Sequence, residues 1–69
     1  MTAQGIGKMV KAQRKLLGMN QSELAMVSGT GVRFISDLEN GKESCELGKT
    51  LAVLKNLGIR FEAVSQGGV

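Results

Sequence analysis

Apolar residues recur at helical spacing in four stretches of the chain and at alternate positions in a fifth. In the first stretch Ile6, Val10 and Leu17, with Met9 and Gln13 beside them, trace one face, and Lys8, Lys11 and Lys15 fall largely outside it. Gly5 and Gly7 lower helix propensity, so this helix is expected to start near Ile6 after a frayed N-terminus and to close at Gly18. A second helix spans residues 21–28 with Leu24 and Ala25 inward. Asn20 stands at its N-cap, and Glu23, three residues on, completes a capping-box pattern. Met19 supplies an apolar contact between the first two helices, Ser28 is small enough to let another helix approach, and Gly29 ends the second helix. After Thr30 and Gly31 a third helix runs over residues 32–40, with Ile35 and Leu38 sharing its buried face and Gly41 as its stop.

The fourth helix is expected over residues 46–57. Leu47, Leu51, Leu54 and Leu57 form its stripe, Ser44 is available as a cap and Gly58 is its terminator. That stripe is expected to close the core over the first and third helices. The period then changes: Ile59, Phe61 and Ala63 alternate with Arg60, Glu62 and Val64, which is a strand pattern. A lone strand leaves backbone donors and acceptors unpaired on both edges. Pairing with the same strand of a second copy across a two-fold axis satisfies one edge and sets Arg60 against Glu62. Residues 65–69, with two glycines, read as a flexible tail.

The outer face of the third helix carries the candidate chemistry. Val32, Arg33, Ser36 and Asn40 fall on one stripe roughly opposite the buried residues. A short helix held by a preceding helix and a tight turn, with small and hydrogen-bonding side chains outward, fits the major groove of duplex DNA. An ordinary helical hairpin with a solvated polar face satisfies the same spacing. Arg14 and Glu39 each fall near an apolar helix face, where a charge is tolerated when its donors or acceptors are satisfied, so the two are expected to pair.

Composition narrows the options. With 69 residues the chain is one domain, 1–69, near the size at which a monomer's core is marginal and association is a common remedy. A net charge of +3 is compatible with a polyanion partner without demonstrating one. There is no histidine, and the lone Cys45, which reads as a small packing residue, excludes an internal disulfide, so no cofactor, metal or redox chemistry is suggested. Glycine-rich phosphate loops after a strand and clustered carboxylates are absent from the pattern, and the chain is not expected to be an enzyme. No apolar run is long enough to span a bilayer and no signal-peptide order is visible, which places the chain in the cytoplasm. Two aromatics and no proline favour a compact helical domain over a sandwich or a stacking-based single-strand binder.

Arg14, the run LGMNQSELA at 17–25, SG at 28–29 and IS.LENGK at 35–42 together resemble the phage-repressor-type (Xre/Cro-type) helix-turn-helix family, over most of the chain and in one register. The resemblance implies a mainly α, four-helix repressor-type domain in which Arg14 and Glu39 form a structural ion pair. It implies base contacts from Val32, Arg33 and Ser36, and backbone phosphate contacts from Asn20, Gln21, Asn40 and Lys42. Gly31 stands where the family often has a serine or threonine cap. Val32 stands where a glutamine often reads adenine, which leaves it apolar contact with a thymine methyl and makes Arg33 the main base reader, through guanine O6 and N7, or else a phosphate contact.

The C-terminal strand at 58–65, carried by Ile59, Arg60, Phe61, Glu62, Ala63 and Val64 in place of a fifth helix, is similar to the HipB-like antitoxins. The implied function is a homodimeric repressor of a palindromic operator in double-stranded DNA, the autoregulating antitoxin of a HipBA-like operon that neutralises a HipA-like kinase toxin. A stand-alone phage-type repressor, or a toxin-binding module with weak DNA contact, are the alternatives.

Overall fold

The computed structural model describes residues 1–62. Within them the chain forms α1 (Ala3–Leu16), α2 (Gln21–Ser28), α3 (Val32–Glu39) and α4 (Leu47–Asn56). α3 packs against both α1 and α2, and α4 lies chiefly on α2. The core is a single cluster of Val10, Leu24, Ala25, Ile35, Leu38, Val53, Leu54 and Leu57, with Ile6, Met19, Phe34, Cys45 and Ile59 packed on its margin. No helix among the described residues is long and apolar enough to cross a membrane.

The helix ends follow local rules. Asn20 Oδ1 accepts from the Glu23 backbone N–H at 2.8 Å and Glu23 Oε1 accepts from the Asn20 N–H at 2.9 Å, a complete capping box. The glycines expected to stop the helices, Gly18, Gly29, Gly41 and Gly58, all have φ between 69° and 82°. Gly31 is the N-cap of α3 and supplies no side-chain cap.

Several expectations are corrected. α1 starts at Ala3, because Thr2 caps it: its Oγ1 accepts from the Gly5 N–H at 2.9 Å, which offsets the poor propensity of the early glycines. Gly7 is itself buried. A Cβ there would collide with the carbonyl oxygens of Leu38 and Glu39, the latter at 2.8 Å, so its bare backbone is what lets α1 approach the exit of α3. Leu17 is the C-cap of α1 and half exposed, since the inward position one turn after Val10 is taken by Arg14.

On α4 the inward stripe is Thr50, Val53, Leu54 and Leu57, while Leu47 and Leu51 are 69% and 41% exposed. Thr50 can be buried because its hydroxyl donates to the Glu46 carbonyl one turn back at 2.9 Å, so the face that carries it packs inward at no cost in unpaired donors. Glu46, not Ser44, is the N-cap, without a side-chain bond, and α4 lies chiefly on α2, while Val53, Leu54 and Leu57 share the core cluster with Val10 of α1 and with Ile35 and Leu38 of α3. From Ile59 to Glu62 no regular secondary structure is formed, and the remaining positions of the expected strand, Ala63 and Val64, lie outside the described residues, as does the tail.

Candidate nucleic-acid interface

The base of the site is a buried polar network. Arg14 Nε donates to Glu39 Oε2 at 2.6 Å and Nη2 to Oε1 at 3.1 Å, a bidentate pair whose side chains are 10% and 3% exposed. Arg14 Nη1 donates to the Met19 carbonyl at 2.8 Å, and Gln21 Nε2 donates to Glu39 Oε1 at 3.1 Å. One carboxylate therefore ties α3 to α1 and α2, and the guanidinium also reaches the connection between those two helices. Burial alone pushes the Glu39 carboxyl up. The hydrogen bonds from Arg14 and Gln21, with the charges of Arg14 and Lys11, overcome that effect and hold it below its usual range. The bond to Glu39 raises Arg14 despite its desolvation.

With its inner side fixed, α3 turns the rest outward. The Arg33 side chain is 91% exposed, Val32 and Asn40 are exposed, and Ser36 is half buried. Arg33 Nε lies 3.8 Å from Asp37 Oδ1, and Lys42 Nζ lies 3.4 Å from Asp37 Oδ2. Lys8 and Lys11 of α1 line one shallow cleft with Gln4, Glu39 and Asn40, extending the basic surface from the end of α3 onto α1. Asn20 is exposed at the start of α2, its side-chain oxygen used by the cap, and Gln21 beside it has its amide nitrogen turned to Glu39.

Val32, Arg33, Ser36 and Asn40 thus lie together along α3, Lys42 joins them through Asp37, and Asn20 and Gln21 stand at the neighbouring helix start. Three features of this face escape sequence reasoning: the bond that Gln21, expected on a phosphate, makes to Glu39, the bordering Lys8 and Lys11, and the place of Asp37 between two cations. The last was visible in the spacing, since Asp37 follows Arg33 by one helical turn.

Comparison with known proteins agrees with this geometry. Residues 10–64 match the helix-turn-helix family model. Over 66 residues, 96% of this chain and 87% of the relative, the sequence is 44% identical to an uncharacterised HTH-type transcriptional regulator, y4mF, of Sinorhizobium fredii. A tight α2–α3 turn, a locked inner face and an outward polar face on α3 are thus accompanied by a match over most of the sequence, and the chain belongs to the helix-turn-helix family.

Proposed function

We propose that this helix-turn-helix protein is a transcriptional repressor that binds a specific sequence in double-stranded DNA as a homodimer. The observation that carries the reading is the contrast across α3: Ile35, Leu38 and Glu39 are buried, while Arg33 stands almost fully in solvent on the opposite side. Val32, Arg33 and Ser36 are assigned to base edges, with Arg33 directed at guanine O6 and N7 and Val32 at a thymine methyl. Asn40, Lys42 and the start of α2 at Asn20 and Gln21 are assigned to phosphates, with Lys8 and Lys11 adding to that positive rim.

The relative's description as a transcriptional regulator supports the same assignment. The run LGKTLAVLKNLGI followed by alternation from Ile59 supports a finer version, in which the tail pairs between two copies and the protein is the antitoxin of a HipBA-like operon. A kinase-like gene immediately downstream is the expected genetic setting of that version, and a lone gene argues for a simple repressor.

The test is selection of a binding site from a random duplex library, followed by titration across salt. Each phosphate neutralised contributes about −0.9 to the slope of log affinity against log salt, so a steep slope is expected. Arg33→Ala is expected to cost roughly 1–3 kcal/mol of base discrimination with the fold intact. A shallow slope together with unchanged selectivity would show that α3 is not the reading helix.

A further inference from the structure

Asp37 is the one acidic side chain beside the outward stripe of α3, and the function proposed above gives it no role. A carboxylate facing duplex DNA is repelled by phosphates, so as a bare surface group it weakens binding. Its surroundings are specific, however. Oδ1 lies 3.8 Å from Arg33 Nε, Oδ2 lies 3.4 Å from Lys42 Nζ, and the side chain is 29% exposed against 91% for Arg33. The carboxylate is thus the least exposed of the three groups, within reach of two cations whose side chains are 91% and 54% exposed.

We propose that Asp37 is a positioning and specificity-determining residue, holding Arg33 by its Nε edge and suppressing indiscriminate phosphate binding by Arg33 and Lys42. The inference rests on the DNA-binding reading. The geometry gives two effects.

The first concerns direction. A guanidinium approached at Nε presents its two terminal nitrogens end-on, the pair of donors that matches guanine O6 and N7. In free solution this exposed pair is worth little. Inside the groove, where water is displaced, the same contact strengthens and fixes the arginine's approach.

The second concerns charge. Arg33, Asp37 and Lys42 together carry a formal charge of +1 rather than +2. Non-specific binding, which is almost wholly a count of phosphates neutralised, is therefore reduced. Specific binding regains the difference because Arg33 then meets guanine acceptors instead of phosphate. An acid on the reading helix so raises the ratio of specific to non-specific affinity while lowering the second.

The experiment uses the full chain, the operator recovered by selection and a scrambled duplex of equal length. Binding to both is measured across salt for the parent, Asp37→Asn, Arg33→Ala and the double variant. Asparagine keeps the shape of the side chain, and thermal melting of each variant confirms that the comparison is between folded proteins.

For Asp37→Asn the expected result is a scrambled-duplex affinity on the order of fivefold tighter at 0.1 M salt and a slope steeper by about 0.9. The specificity ratio should fall by a similar factor, with preference for guanine lost at the base pair that Arg33 reads. In the Arg33→Ala background the loss of base preference on adding Asp37→Asn should vanish. An unchanged ratio and slope, or the same loss of preference without Arg33, overturns the assignment of Asp37. Failure of the parent to select any duplex overturns the DNA reading itself, a different and separable outcome.

Discussion

At the scale of the residue, Glu39 decides whether α3 can be held at all. Its carboxylate is almost fully enclosed and accepts from two nitrogens of Arg14 and one of Gln21. Replacing it by glutamine leaves a guanidinium that is 10% exposed without its counter-charge. The expected loss is about 3 kcal/mol in urea denaturation, because removing one partner of a buried pair strands the other. The pH dependence follows from the same contacts. Glu39's folded-state pKa lies below its ordinary value of 4.5, so its contribution is complete above about that pH and is lost as the pH falls through the lower folded value. Stability of the parent should therefore decline through the acid range below 4.5, and this component should be missing from Glu39→Gln. The pairing of Arg14 with Glu39 was legible because two charges sat near apolar stripes. Gln21's third bond was not, since an amide at a helix start has many possible partners and spacing does not choose among them.

At the scale of the element, glycine and leucine each mean different things in different helices. Gly7 faces the backbone of α3, whereas nothing lies within 4 Å of a Cβ built on Gly48 in α4. Gly7→Ala should cost about 2 kcal/mol through overpacking, even though alanine is the better helix former. Gly48→Ala should add up to about 1 kcal/mol, and thermal melts of the two variants should shift in opposite directions. By propensity alone Gly5 and Gly7 are equally poor helix formers, and the close approach between helices at Gly7 is invisible to a local rule. α4 shows the same limit. Its four leucines make a helical stripe, but Thr50, Val53, Leu54 and Leu57 make an equally good one, and only the partner helix selects between them. Val53→Ala should accordingly cost about 2 kcal/mol and Leu51→Ala below about 1, as read from denaturation midpoints. The helices bounded by strong caps, α2 above all, were legible to within a residue because capping chemistry is local.

At the scale of the whole molecule, the proposed homodimer has to set two copies of α3 on one duplex. Among the described residues the alternation that begins at Ile59 meets no partner strand, and from Ile59 to Glu62 no regular structure is formed. Half-exposed Phe61 and the partly buried Ile59 show that this segment leaves the core gradually rather than at α4's end. In the proposed homodimer the segment supplies the symmetry, and the symmetry supplies the spacing: two recognition helices must meet half-sites about 34–36 Å apart, one turn of the duplex, or a multiple of it. Two measurements follow from this one requirement. Removing residues 59–69 should give a species that sediments as a monomer, keeps its helical melt and binds a single half-site weakly. Inserting about five base pairs, half a helical turn, between the selected half-sites should abolish tight binding by the parent because the second helix then faces away from its groove. A full-turn insertion should restore binding only as far as the C-terminal pairing can stretch. A truncated chain that still dimerises would move the two-fold axis to another surface, with the exposed Leu47 and Leu51 of α4 as the next apolar face to examine. Insensitivity to the half-turn insertion would instead mean that each copy reads DNA on its own, and the tail would then have no part in setting the grip.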